Sequence, residues 1–202
     1  MRTFAAAAVL ATVAGTDVIT SWVNFGQPGD QAFSPVGTEA ANVTGSVLTR
    51  GAGLNPSGAG NSISSNGWDD LGADDYFTFG FTVDAGYSVD LDTFWFGSRS
   101  SNTGPGFLSI YSSVDGFTNF NNSIADMSAL TGLTGTVEFR ILADNGTSAS
   151  GGTISSGGTF RLGDHFDGSD FTEVRFEGTV VPAPASAALL GLGGLVAVRR
   201  RR

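Results

Sequence analysis

The sequence predicts an all-β fold, an antiparallel β-sandwich of jelly-roll type, with a short C-terminal membrane helix appended. Three observations predict it. Apolar and polar residues alternate at period two in short runs, which places one side of each run in a core. Clusters of Gly, Ser, Asn and Asp at Gly51 to Gly60, Ser98 to Gly106 and Asn145 to Gly158 separate these runs with turn chemistry. Amphipathic helical periodicity is confined to Ser123 to Leu130, so helices cannot form a layer of the body. No unit of about 20–50 residues repeats, which argues against a solenoid or propeller.

In chain order, Asp17 to Phe25 and Val43 to Thr49 are weaker strand candidates. Tyr76 to Val83 is the clearest strand, with Phe77, Phe79, Phe81 and Val83 alternating with Tyr76, Thr78, Gly80 and Thr82. Asp84-Ala85-Gly86 turns the chain into Ser88 to Phe96, where Val89, Leu91 and Trp95 take one face and Phe94 and Phe96 load the other. Both faces apolar is the pattern of a central, covered strand, and Trp95 reads as core. Phe107 to Ser112 is followed by the turn-forming pair Asp115-Gly116. Val137 to Leu142 sends Val137, Phe139 and Ile141 inward and Glu138 and Arg140 outward. Thr159 to Leu162 is a weaker candidate, and Thr172 to Val180 repeats the device, with Val174 and Phe176 inward and Glu173, Arg175 and Glu177 outward. Were these last two alternating strands neighbours, their Glu and Arg residues would pair across the sheet.

The chain has 202 residues, room for one domain between its two terminal segments. Sixteen Phe and 41% hydrophobic residues supply a core despite thirty Gly, so the composition is not that of a disordered chain. All ten basic residues are Arg. Without Arg2 and the four terminal Arg, five positive charges face nineteen negative ones, and the central domain carries −14. A field of that sign repels phosphate backbones, so no nucleic acid is expected as a partner. The absence of Cys is compatible with export for a domain of this size and excludes thiol catalysis and Cys-based zinc sites.

The ends carry an address. Met1-Arg2-Thr3 followed by the apolar run Phe4 to Gly15, with small residues at Thr12-Val13-Ala14 and Val13-Ala14-Gly15, reads as a signal peptide over 1–15. The body occupies 16–180. Residues 181–202 read Val181-Pro182-Ala183-Pro184, an apolar helix over 185–198, and Arg199, Arg200, Arg201 and Arg202. Proline starts a helix well and cannot sit inside one, which puts the helix start just after Pro184. Its length, ~20 Å at ~1.5 Å per residue, falls short of a bilayer core of ~30 Å. Snorkelling arginines and local thinning make it a marginal span whose cationic end stays in the cytoplasm.

This order of Pro-x-Pro motif, short apolar helix and terminal Arg cluster resembles the PEP-CTERM sorting signal, in the Pro-Ala-Pro variant of planctomycete-type bacteria, with Ala183 where the usual form has Glu. The resemblance implies recognition by an exosortase-type membrane transpeptidase and processing near Pro182 to Pro184. It implies delivery to the outer surface or an exopolysaccharide matrix, with membrane contact through the tail. The stretch from 68 to 180, with Asp74-Asp75-Tyr76-Phe77, Gly86-Tyr87-Ser88-Val89-Asp90-Leu91 and Val137-Glu138-Phe139-Arg140, resembles the ectodomain that often accompanies such tails. That likeness implies a sandwich and brings no catalytic residue.

Within the body the candidate sites are few. His165 is the one histidine and no Gly-x-Ser-x-Gly elbow accompanies it, so it reads as a loop residue rather than a triad member. Two acidic clusters, Asp69, Asp70, Asp74 and Asp75 on one side and Asp164, Asp167 and Asp170 on the other, offer the hard oxygen ligands calcium takes, although neither follows the Asp-x-Asp-x-Asp-Gly loop. Glu39, Glu138, Glu173 and Glu177 are the Glu residues, and the last three read as outward ion-pair partners rather than as a glycosidase pair. Trp22, Trp68, Trp95, Tyr76 and Tyr87 include possible sugar-stacking faces, of which Trp68, beside Gly67 and Asp69, is the exposed candidate. The sequence thus points first to a non-enzymatic structural or adhesive surface protein, then to a carbohydrate-binding module or calcium-dependent adhesin, and third to a secreted hydrolase.

Overall fold

The computed structural model describes residues 17–118, 125–166 and 171–182. Its strands are β1 Asp17–Trp22, β2 Phe33–Ser34, β3 Val36–Glu39, β4 Val43–Arg50, β5 Asn55–Pro56, β6 Ser62–Asn66, β7 Tyr76–Val83, β8 Tyr87–Trp95, β9 Gly97–Ser100, β10 Leu108–Ser112, β11 Gly135–Ala143, β12 Phe160–Gly163, β13 His165–Phe166, β14 Phe171–Thr172 and β15 Val174–Pro182. The one helical turn among the described residues is a 3-10 turn, Ser113–Asp115. Every strand pairing is antiparallel. A five-stranded sheet runs β10-β11-β7-β4-β2, and two four-stranded sheets run β3-β1-β15-β8 and β5-β6-β12-β9. The pair β13-β14 stands apart.

β7 organises the core because its alternation is strict. Phe77, Phe79, Phe81 and Val83 are all buried on one side, as period two requires. Phe79 meets the first four-stranded sheet, with ring centroids 5.1 Å from Trp22 and Phe94 and 5.7 Å from Phe176. Phe77 meets the second, 5.4 Å from Trp68 and 5.8 Å from Phe160. Both four-stranded sheets therefore cover the same face of the five-stranded one. The chain passes between them where β8 leads into β9 and where β12 leads back to β15. Gly80 interrupts the alternation on the outer side for a steric reason: a Cβ there would lie 2.1 Å from the Val137 carbonyl oxygen of the neighbouring strand.

The alternating strands β11 and β15 are not neighbours. They belong to facing sheets, and their inward rings meet across the core, with Phe139 4.6 Å from Phe176. The expected cross-strand ion pairs are accordingly replaced by pairs within each strand: Arg140 to Glu138 at 2.8 Å and Arg175 to Glu177 at 2.5 Å. Side chains two apart on a strand share a face, which permits this.

β8 also departs from the reading. It ends its sheet, and Asp92 is an extra residue opposite β15, since Glu177 pairs with Thr93 and Gly178 with Leu91. A bulge reverses the side-chain phase. Val89 and Leu91 point inward before it, Phe94 points inward after it, and Trp95 turns out to solvent, 40% exposed. The strand's free edge is covered by residues 125–133, where the helix was expected. There the chain lies along β8, with hydrogen bonds from Phe94 N to Ala125 O, Met127 N to Asp92 O and Val89 N to Leu133 O. Met127 is fully buried in this contact, and satisfying the edge outweighs the weak helical propensity of the stretch. Residues 123 and 124 of the expected helix lie outside the described residues.

β15 runs through Val181, paired with Ser88, to Pro182, paired with Tyr87. Proline lacks the donor a ladder needs and suits a strand end. The expected signal peptide over 1–15, Ala183, Pro184, the helix expected over 185–198 and Arg199 to Arg202 lie outside the described residues. No helix of those described is long and apolar enough to cross a membrane.

Candidate functional site

The first acidic cluster sits on the turn entering β7. Asp69, Asp70 and Asp74 are exposed, whereas Asp75 is buried. The Gly72 amide donates to Asp75 Oδ2 at 2.6 Å and to Asp70 Oδ1 at 3.1 Å, so the loop is closed on its own backbone. Among the described residues no three acidic or imidazole groups converge on a common point. Asp69, Asp70, Asp74 and Asp75, the set expected for calcium, are thus not gathered as four ligands; Asp70 and Asp75 form a pair on the Gly72 amide. Burial, and next the adjacent Asp70 carboxyl, push Asp75 up to about 6. The Asp75 side chain and the Gly72 amide hold Asp70 below the usual carboxylate range.

Asp75 keeps in the native state a proton that the unfolded chain releases near ~4, so its ionisation removes stability as pH rises from ~4 through ~6. Asp75→Asn is expected to raise stability at pH 7.5 by about 1–2 kcal/mol, since a two-unit shift sets a ceiling of ~2.7 kcal/mol and the pair shares its charge. The check is urea unfolding at pH 5 and 7.5: wild type should lose stability between the two and the variant should lose less. Identical pH dependence would remove Asp75 as the source.

Of the second cluster, Asp167 and Asp170 lie outside the described residues. Asp164 is described, just after β12. Both its carboxyl oxygens are closed off from solvent and no donor completes a hydrogen bond to either. Burial raises it to about 6, with the nearby Glu173 charge adding to the effect, while Asn24 and the Val174 backbone favour the charged form. Glu173 itself accepts from Ser21 Oγ at 2.5 Å. His165 contributes backbone to β13.

The aromatic candidates exchange places. Trp68 was expected to be exposed and is fully buried, wedged edge-on between Phe77 and Phe160 at 5.4 and 5.7 Å, its indole N–H donating to Ser65 O at 3.0 Å. It closes the end of the core because the 67–75 loop folds over the sheets rather than away from them, so it offers no face to a sugar. Trp22 is core as well, donating to Ser46 O at 2.7 Å. Trp95 is the exposed one. It donates to Glu177 Oε2 at 2.7 Å and carries Arg175 5.9 Å from its ring.

The five arginines of the body divide in two groups. Arg50 is folded into a web of carbonyls. Arg140 pairs with Glu138 and lies between the Tyr76 and Phe117 rings at 4.4 and 4.1 Å, and Arg175 pairs with Glu177. Arg99 and Arg161 have no such partner among the described residues. They are directly opposite each other on β9 and β12, on the outer side, because Phe160 and Leu162 flank Arg161 and are buried. Two hollows of about 240 and 310 Å³ adjoin them, and both arginines line both. No family model, curated protein or solved structure matches this chain. What the surface can do is therefore read from its geometry alone. Two unneutralised guanidiniums side by side, in a body of strongly negative charge, make a local site for anions. The Phe160-Arg161-Leu162 alternation signals that Arg161 faces outward. Nothing local signals Arg99, which lies in a Ser- and Gly-rich stretch that reads as a loop.

Proposed function

We propose that this chain is an exported cell-surface or extracellular-matrix protein, secreted through residues 1–15 and sorted by an exosortase-type system through Val181 to Pro184 and Arg199 to Arg202. Its body is a jelly-roll sandwich with a non-enzymatic structural or adhesive role. Facing antiparallel sheets joined by crossing connections, such as β1 beside β15 and β4 beside β7, support the jelly-roll assignment. The observation that supports the functional reading is where the motif falls: β15, the last strand among the described residues, reaches Pro182, the first proline of the motif. Processing between Pro182 and Pro184 would leave the pairing of β15 with β1 and β8 in place.

Mass spectrometry of both termini of the protein recovered from its own cell envelope or medium tests this. The expected species begins close to residue 15 and lacks Arg199 to Arg202. Recovery from the cytosol of a polypeptide that still carries both Met1 and Arg202 would end the proposal. Among the alternatives, carbohydrate binding is favoured over a calcium-dependent adhesin by one observation. The paired arginines form a formed, outward-facing site, whereas the described carboxylates do not gather into one.

A further inference from the structure

We propose that the outer face of the β5-β6-β12-β9 sheet binds an acidic polysaccharide, with Arg99 and Arg161 together gripping its carboxylates. The inference rests on the exported reading for where the polymer is met, and on the arginine pair for what is bound.

Like charges directly opposite each other on a sheet repel, with Cβ atoms about 5 Å apart, and an antiparallel ladder gains nothing from them. An acidic protein has carboxylates to spare for neutralising such a pair, as Arg140 and Arg175 show. At Arg99 and Arg161 none of the described residues supplies one. Asp164 is the acid lining one of the hollows, and its oxygens are closed off from solvent rather than turned to the guanidiniums. Two planar forks held side by side fit carboxylate groups bidentately and offset the desolvation that a single ammonium would not.

The shape favours a polymer over a small anion. One hollow is below and the other close to the ~300 Å³ low end of small-molecule pockets, and the two flank the same pair of arginines as one shallow track. The lining favours a sugar over an acidic peptide. Asn61, Ser98, Asn102 and Thr159 offer amide and hydroxyl groups, matched to a hydroxylated chain. Among the described residues no large apolar side chain lines either hollow to act as the anchor on which peptide recognition depends.

The full-length chain is tested in mild detergent at low ionic strength against polygalacturonate, neutral dextran and polyglutamate, by affinity electrophoresis and calorimetry. Because Arg199 to Arg202 could also hold an anion, every protein is prepared in addition with those four changed to Gln. The expected result is binding of polygalacturonate that weakens at least tenfold in R99Q/R161Q, in both tail backgrounds, with no binding of dextran. Polyglutamate should bind at least tenfold more weakly than polygalacturonate. Should R99Q/R161Q melt well below wild type, R99K/R161K takes its place: it keeps the charges, loses the fork, and should still bind several-fold more weakly. Unchanged binding in the double variant, loss of binding with the tail arginines alone, or polyglutamate bound as well as polygalacturonate would each overturn the proposal. None of these outcomes depends on processing of the termini, so failure here leaves the export reading standing, and the reverse.

Discussion

Phe176→Ala is expected to destabilise the protein by about 3–5 kcal/mol, the range for emptying a large aromatic site in a packed core. The position explains the size. Phe176 is fully buried on β15, and its ring lies 4.6 Å from Phe139, 4.8 Å from Phe94, 5.7 Å from Trp22 and Phe79 and 6.0 Å from Phe81. With Trp22 and Phe94, it is one of the rings through which the β3-β1-β15-β8 sheet touches the five-stranded one. Truncation leaves a cavity lined by five rigid aromatics, which collapse poorly, and forfeits aromatic pairs worth ~0.5–1.5 kcal/mol each beyond their area. Against a typical total of ~5–15 kcal/mol the loss is severe, and a fall in melting temperature of roughly 10 °C or more should accompany it. Trp95→Ala on the same β8–β15 ladder is the control. The indole is as large, but it is partly solvated and turned away from the core, so about 1 kcal/mol or less is expected. Equal losses from the two variants would refute the phase reversal at Asp92.

That contrast shows what could be read in the residues and what could not. Wherever a strand is long, buried on one face and solvated on the other, the alternation itself specifies it. β7 therefore matches its expected bounds, β11 extends its own by two residues at the start and one at the end, and β15 begins and ends two residues later than expected. A bulge is a property of two strands, not one. Asp92 looks like any other exposed residue of β8, and only the shift of register opposite Glu177 and Gly178 reveals why Phe94 is inside and Trp95 outside. β6 was invisible for a different reason. Its sequence is Ser-Ile-Ser-Ser-Asn, and four of the five residues are buried, but serine gives no apolar period to detect. The stretch is made suitable for a core edge by hydrogen bonds that arrive from elsewhere, among them those from Arg50 to Ser64 O and Ser65 Oγ. The site follows the same rule. The proposed addresses at the ends are linear motifs, which can be read along the chain. The Arg99–Arg161 pair exists only because β9 and β12 are in register, and no spacing in the sequence encodes a register between residues that far apart.

Arg50→Met is expected to cost about 2–4 kcal/mol and to loosen the arginine face as well. Arg50 closes β4, and its guanidinium reaches away from its own sheet. Nη1 donates to Gln31 O at 2.5 Å, Nη2 to Gly29 O at 2.6 Å and Ser64 O at 2.8 Å, and Nε to Ser65 Oγ at 2.7 Å. Burial pulls its pKa down and the Asp30 charge partly restores it, so the cation is held chiefly by carbonyl dipoles. Met fills the stem but supplies no donor. Hydrogen bonds to a charged group contribute ~1.5–3 kcal/mol, and carbonyls that still accept a backbone bond soften the loss. Arg50→Lys restores the charge without the fork and should recover less than half. The same web seats the wall of the proposed track, because the segment around Gly29 hydrogen-bonds to Ala59, Asn61 and Ser64, and Ala59 and Asn61 line the two hollows beside Arg99 and Arg161. Hydrogen exchange separates the two effects. In Arg50→Met the amides of Ala59, Asn61 and Ser64 should lose protection well before those of β7 and β11, since they open with the loop rather than with the global transition. Uniform loss of protection across all strands would mean that Arg50 acts on the whole fold and has no particular hold on the binding face.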